Sequence, residues 1–551
     1  MDEQPDLRQF IDEVSSFDNE AAPAPKKGAA PALDPIGRIV EIAGSGSLIR
    51  MNAELLTAQQ SNPDPAVAMS GQVGSQVKMV VGNAWLIANV RTMAAADNGE
   101  ILAEIDFLGE GTRQISGQMS GFQRGVTRYP IPACPVLPVT TEDLRAVFAA
   151  DDSAHIEIGT VYPTDDIRGA LYVDPMLSKH FAVLGSTGTG KSTAVSLILH
   201  RISELSPEGH IVMIDPHGEY SAAFKGCGEL FNVDNLQLPY WLMNFEEHCE
   251  VLLTTHGAER QRDADILAKC ILAARTKGKD LSQYGKVTVD SPIPYLLTDL
   301  TTIIVNEMGK LDRAGDTAPF QRLKTKLDEL KADPRYTFMF SGMLVSDSMP
   351  AFLARLFRLP ANGRPISIVD VSGVPSEITS VVVSVLARMV FDYAIWSRTE
   401  AQRPLLLVCE EAHRYVPKSE SGDGQAVRKI LERIAKEGRK YGVSLGLITQ
   451  RPSDLAEGVL SQCGTIVAMR LNNERDQACV RAAMPEGARG FLDVIPALRN
   501  RECIVCGEGV SIPIRVRFDD LEPEKLPASS DPSFAAMWRE TGGEEGIIQR
   551  T

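Results

Sequence analysis

The sequence predicts an α/β protein: a mainly parallel sheet, a small β-barrel ahead of it and a helical insertion within it. Three observations carry that reading. A glycine-rich turn at 185–192, GSTGTGKS, lies between an apolar strand (181–185) and a helix beginning at about residue 192. Apolar runs at 211–215, 366–371, 404–410, 443–449 and 464–470 alternate with helical stretches such as 376–397, the pattern of parallel strands covered on both faces. Shorter β-type runs between Gly, Asn and Asp fill 36–138, a spacing that suits a barrel or sandwich.

In chain order, residues 1–34 end in the Ala/Pro/Lys tract AAPAPKKGAAPALDP and read as a disordered leader. The barrel takes 35–140, the first part of the α/β core 141–237, a helical insertion 238–358 and the second part of the core 359–520. Within the insertion, QRLKTKLDELK places Leu323, Leu327 and Leu330 on one helical face. A Pro/Ser-rich linker and a tail bearing Trp538 fill 521–551.

At 551 residues, two or three domains are expected. The 44 % apolar and 23 % charged composition is that of a globular chain. The apolar runs read as shorter than the roughly 18 residues of a membrane span, so no membrane and a cytoplasmic location are expected. A net charge of −16 argues against nucleic acid binding over the whole surface but leaves room for a small basic channel. The nine cysteines show no disulfide framework, and Cys503 and Cys506 form a lone CxxC that reads as part of a buried strand.

The turn matches G-x-x-x-x-G-K-[ST] without mismatch. Gly185, Ser186, Thr187, Gly188, Thr189 and Gly190 supply backbone N–H groups to phosphate oxygens at the positive end of the helix that runs on through Thr193. Lys191 faces the β and γ phosphates, and the Ser192 hydroxyl is placed for Mg²⁺. The expected cofactors are therefore ATP and Mg²⁺. At the end of the apolar run LLLV stand two adjacent carboxylates, Glu410 for the Mg²⁺ shell and Glu411 for the base that activates water. Asp215 and Glu219 in IVMIDPHGEY, and Gln450 in GLITQRPSD, end strands in the same crevice, Gln450 as a sensor of the γ-phosphate.

Together with the opening IGRIVE, the segments GSTGTGKS, DPHGEY, EEAHRYVP and EGRKYGVSLGLITQRPSDL resemble the HerA family of the HerA/FtsK ATPase superfamily, over residues 36–520. The resemblance implies an N-terminal HAS barrel on a RecA-like P-loop motor, assembled as a homo-hexamer that translocates on double-stranded DNA. It further implies that Asp215 and Glu410 assist the metal, Glu411 activates water, Gln450 is the sensor and Arg439 reaches the neighbouring subunit's γ-phosphate. Where the family often carries arginine ahead of the P-loop strand, this chain has Lys179, which keeps the charge but not the bidentate fork. DNA contact is expected from KSESGDGQAVRK through Lys418, Arg428 and Lys429, which can meet phosphates without reading sequence. No nuclease motif is visible, so the implied partner is a separate NurA-like nuclease, or a sirtuin-like or nuclease effector, in DNA end processing or phage defence. The alternative is an ATP-gated ring scaffold that assembles an effector without processive translocation.

Overall fold

The computed structural model describes residues 33–528 and residue 538, except for 44–45, 97–98, 281–285, 311–315, 342–348, 400–402, 420–423, 485–490 and 492. Seven strands form the N-terminal sheet: β1 (Gly37–Ile42), β2 (Gly46–Asn52), β3 (Gln76–Val81), β4 (Ala84–Ala95), β5 (Glu100–Arg113), β6 (Met119–Arg124) and β7 (Pro135–Pro138). Their order is β2-β1-β7-β3-β4-β5-β6, and an added β2–β5 pairing closes six of them into a barrel with β6 on the outside. Register shifts at Ile87/Ala88 and Val90/Thr92 in the long β4–β5 pair increase its twist and curvature, which closure requires. β2 alternates buried and half-buried residues, as a barrel wall must. Ile39, Ile49, Val77, Met79, Leu86 and Ile105 fill the interior.

A buried ion pair ties the barrel to the helix after it. Lys78 of β3 meets Asp143 at 2.5 Å, their side chains 10 % and 6 % exposed, and the ammonium also lies 4.7 Å from the centre of the Trp85 ring. Asp143 has a second task. It is the third residue of helix α1 (Thr141–Val147) and closes a reciprocal cap with Thr140.

Beyond α1 lies an eleven-stranded sheet: β8 (His155–Val161), β9 (Arg168–Tyr172), β10 (Phe181–Leu184), β11 (Ile211–Asp215), β12 (Gly228–Phe231), β13 (Ile366–Asp370), β14 (Leu405–Cys409), β15 (Val443–Thr449), β16 (Thr465–Met469), β17 (Glu502–Gly507) and β18 (Ile514–Phe518). The order is β12-β13-β11-β14-β15-β10-β16-β17-β18-β8-β9. From β12 to β16 neighbours are parallel; from β16 to β9 they are antiparallel. The α/β reading is met, and its corrections are β12 and the antiparallel flank, in which β8 and β9 join strands more than three hundred residues later. Cys503 and Cys506 are buried in β17, and burial pushes the Cys506 thiol up to about 12.

Helix α2 (Lys191–Leu205) follows β10. Residues between β12 and β13 are helical: α3 (Phe245–Leu252), α4 (Gly257–Thr276), α5 (Leu297–Gly309) and α6 (Ala318–Ala332) are the longer elements. Leu323, Leu327 and Leu330 of α6 are buried, as their spacing predicts. Arg388 anchors α3 by bonding Glu247 at 2.8 Å and the Leu242 carbonyl at 2.6 Å. The reading that no run reaches membrane-span length is corrected at α7 (Ser376–Trp396). The stretch Ser376–Thr399 has the length, and an 18-residue window within it has a mean hydropathy of 1.7, but 67 % of that window is buried inside the protein. It is a core helix packed on α3, on β14 and on α8 (Gln425–Glu437).

Asp143→Ala leaves the Lys78 ammonium buried without a partner, so it should cost about 3–5 kcal/mol, whereas Lys78→Met combined with Asp143→Leu should cost much less. Chemical unfolding of the single and double variants checks the difference.

Candidate functional site

The site forms at the carboxyl edge of the parallel strands, where four strand ends lie side by side. β10 ends at Leu184 opposite Thr449 of β15, and β11 runs beside β14 with Ile214 opposite Cys409. The next residue in each strand is therefore the first that can turn into the cleft: Gly185, Gln450, Asp215 and Glu410.

Gly188 and Gly190 hold φ at +79° and +92°, the left-handed region that side chains other than glycine rarely adopt, and α2 begins immediately after. Thr189 is fully buried and its hydroxyl donates to the Ser186 carbonyl at 2.8 Å, closing the turn. The Gly185 N–H donates to the Thr449 carbonyl at 3.3 Å, and the Thr187 hydroxyl donates to Oε1 of Gln450. The glycine turn and the end of β15 are thus linked twice.

Lys191, 8 % exposed, places Nζ 3.9 Å from Oε1 of Glu411. The Ser192 hydroxyl donates to Oε2 of Glu219 at 3.0 Å, and the Tyr220 hydroxyl donates to Oε2 of Glu410 at 3.0 Å. Burial above all, with Glu411 and Asp215 adding repulsion, pushes the Glu410 carboxyl up to about 8 although Lys191 opposes it. Glu411 has a left-handed backbone, φ 51° and ψ 44°, and its Oε2 is buried without a hydrogen bond. A non-glycine residue held there stores strain, a feature found preferentially at functional sites.

Asp215 departs from the sequence reading. It is fully buried, one oxygen accepting the N–H groups of His217 (3.1 Å) and Gly218 (2.9 Å), the other that of Tyr220 (2.9 Å). Both oxygens are engaged in shaping the loop 215–220, which presents Glu219 to Ser192 and Tyr220 to Glu410. The direct contact belongs to Glu219. Burial raises the Asp215 carboxyl, and the backbone donors counter that rise.

Arg439 is not in this cleft. It lies ahead of β15, in the turn Gly438–Tyr441, while Gln450 follows the strand's other end, about 20 Å away at ordinary strand rise. There it lines a separate cavity of about 580 Å³ with Asp174, Glu208, His210 and Arg403. Lys179 is on the same edge and bonds Glu508 at 2.8 Å. The three candidate DNA contacts are engaged within the chain: Lys418 with Glu457 at 2.6 Å, Arg428 with Glu432 at 2.8 Å, and Lys429 with Glu246. Residues 420–423 of that loop lie outside the described residues.

Two residues of the cleft have no role in the sequence reading. Tyr220 directly follows Glu219, and His413 lies two residues past Glu411; the signal for each is its own motif, DPHGEY and EEAHRY.

The residues present fit a nucleotide with its Mg²⁺. Glu410 and Glu411 lie about Lys191, Glu219 bonds Ser192 beside them, one oxygen of Glu411 is unsatisfied, and the backbone at Gly188 faces open space. Ser192, Glu219 and Glu410 are placed to hold the metal directly or through water. Among the described residues no group of three or more His, Cys, Asp or Glu is arranged to hold a metal unaided.

A family model described as "Helicase HerA, central domain" matches residues 156–390. The DNA double-strand break repair helicase HerA of Pyrococcus furiosus is 26 % identical over 508 residues, covering 85 % of this chain and 87 % of that protein. The protein of the same description from Sulfolobus acidocaldarius is 25 % identical over 429 residues, 76 % of this chain and 78 % of its own. Among solved structures, VirB4 of Thermoanaerobacter pseudethanolicus aligns with a TM-score of 0.49 at 16 % identity, covering 68 % of this chain and 99 % of that one.

The raised Glu410 carboxyl gives a pH signature. Its folded value of about 8 lies above the ordinary 4.5, so between those values the native chain holds a proton the unfolded chain has released. Stability of the nucleotide-free protein should therefore fall as pH rises from about 5 to 8, by at most about 1.4 kcal/mol per pH unit from this group. Glu410→Gln should flatten that slope in unfolding measured across the window.

Proposed function

We propose that the chain is a HerA-type P-loop ATPase, as the match of residues 156–390 to the HerA central domain supports, and an ATP-driven translocase on double-stranded DNA, working as a homo-hexamer in the cytoplasm. The observation that carries the reading is the cleft itself: a glycine cradle, Lys191 and the carboxylates 410 and 411 on one buried edge.

Position assigns the roles. Within the turn, Thr187, Gly188 and Gly190 present their backbone N–H groups to the phosphate chain, and α2 adds its positive end. The N–H groups of Gly185, Ser186 and Thr189 donate instead to the carbonyls of Thr449, Arg470 and Ser186, which corrects the expectation for these three. Lys191 moves its ammonium from Glu411 to the phosphates, since a multiply charged anion competes well with one carboxylate 3.9 Å away. That transfer releases Glu411, which takes a proton from the water attacking the γ-phosphorus. Gln450, in contact with Thr187, is positioned to orient that water or register the γ-phosphate. Mg²⁺, when bound, supplies neutralisation of charge on the β and γ oxygens. Ser192, Glu219 and Glu410 hold it, and Asp215 acts one step removed by shaping the loop.

Assembly as a ring is supported by Arg439, which cannot reach the γ-phosphate of its own chain from the opposite end of β15. In a ring it is a candidate arginine finger on the neighbour's nucleotide. DNA contact by the loop that begins at Lys418 requires the present ion pairs to exchange for backbone phosphates. Exposed pairs such as Lys418–Glu457 hold their partners only weakly in water, so exchange costs little. A separate nuclease or effector, in end processing or phage defence, completes this reading. The Pyrococcus furiosus and Sulfolobus acidocaldarius relatives carry DNA double-strand break repair in their names, which favours end processing.

Lys191→Ala should abolish nucleotide binding, and Glu411→Gln should bind ATP yet hydrolyse it at least about 10³-fold more slowly, measured by filter binding and phosphate release. Arg439→Ala should lose turnover to a similar degree, and rings mixed from Arg439→Ala and Glu411→Gln subunits should recover part of it. Absence of recovery defeats action across subunits. Linear duplex DNA should stimulate turnover; a rate indifferent to DNA but responsive to a protein partner favours the scaffold reading.

A further inference from the structure

Glu411 is the group whose orientation matters most, and no hydrogen bond in the cleft fixes its second oxygen. What faces that oxygen is a histidine: Nδ1 of His413 lies 3.2 Å from Oε2 of Glu411. The same nitrogen lies 2.9 Å from Oγ1 of Thr449, and that hydroxyl oxygen already accepts the Arg451 N–H at 3.0 Å. We infer that His413 is a positioning residue that ties the Glu411 carboxylate to the strand end Thr449–Gln450, so that the base and the γ-phosphate sensor move as one unit. The inference rests on the reading of Glu411 as the base.

The protonation pattern supports the tie. A bare lone pair on Nδ1, 3.2 Å from a carboxylate oxygen, is repulsive, whereas an N–H on that nitrogen donates to the threonine oxygen and turns a positive edge toward Oε2. The side chain is 17 % exposed, and burial lowers its basicity while Glu411 and Asp454 raise it and Arg451 and Lys191 oppose them. The neutral Nδ1–H form therefore suffices.

The position of Thr449 makes the link useful. Fully buried at the end of β15, it accepts the Gly185 N–H on its carbonyl and faces His413 with its hydroxyl. The next residue, Gln450, accepts the Thr187 hydroxyl. A shift of the glycine turn on filling is thus delivered to Thr449 and Gln450 together, and through His413 to Glu411. The carboxylate starts from a strained left-handed backbone, held between Lys191 on one oxygen and His413 on the other. When Lys191 leaves for the phosphates, His413 is the contact that remains to aim it.

The test uses the full-length protein and four variants: His413→Ala, His413→Asn, Thr449→Val and the double His413→Ala/Thr449→Val. Binding of a fluorescent ATP analogue, kcat and KM are measured with and without linear duplex DNA. His413→Ala is expected to bind the analogue within about 2-fold of the parent and to lose about 10- to 100-fold in kcat with little change in KM, the effect of a misaimed base. His413→Asn, which keeps an N–H donor, should recover most of the loss. Thr449→Val should lose kcat without KM, and the double variant should be no slower than the worse single variant, because both break one chain. Parent kcat in His413→Ala, losses that multiply in the double variant, or a loss confined to analogue binding each overturn the inference. If His413→Ala does not fold, His413→Asn and Thr449→Val carry the same comparison. Glu411→Gln separates the two levels: parent turnover in that variant means the base assignment has failed, while an inactive Glu411→Gln beside an unaffected His413→Ala means only the tie has failed.

Discussion

The register of the parallel strands is the constraint on which the cleft depends. β10 lies between β15 and β16, and β11 between β13 and β14, so the residues that leave the strands are set against one another before any side chain is considered. Leu184 opposite Thr449 brings the glycine turn to Gln450, and Ile214 opposite Cys409 brings the loop 215–220 to the paired glutamates. A slip of one residue would turn every side chain of the strand to the other face of the sheet. Fully buried strands such as β10, β14 and β15 resist that slip through packing on both faces.

Given that framework, the chemistry is one of unbalanced charge. Lys191 is a buried cation among carboxylates, and burial that favours the neutral form of Glu410, with the bond from Tyr220, eases the repulsion between them. An arriving polyanion with its metal replaces that makeshift neutrality with a better one. The strain at Glu411 and its unsatisfied oxygen belong to the same balance, for a carboxylate held so is left with an oxygen still open to a partner.

The legible parts of the molecule were those written in short spans of chain. The turn 185–192, the run before Glu410 and the leucines of α6 each declare themselves within a dozen residues. Three kinds of feature did not. The antiparallel flank depends on β18 meeting β8, a pairing whose partners carry no mark of each other in sequence. The role of Asp215 turned on three backbone N–H groups, which every residue but proline owns and which no residue type announces. Lys418, Arg428 and Lys429 looked available for phosphates because their acidic partners, Glu457, Glu432 and Glu246, could be matched to them only in three dimensions, or at one helical turn in the case of Glu432.

The seam between β8 and β18 has a consequence for how the chain matures on the ribosome. Arg168, at the start of β9, is clamped by Asp519 just past β18, so the early segment waits for nearly all of the later residues to emerge. Until then two strand edges face water with their amides unpaired, an invitation to stray association. Co-translational chaperones, or swift closure by neighbouring copies, would be most needed in that interval, and cutting the chain shortly before residue 514 would leave the interval permanent.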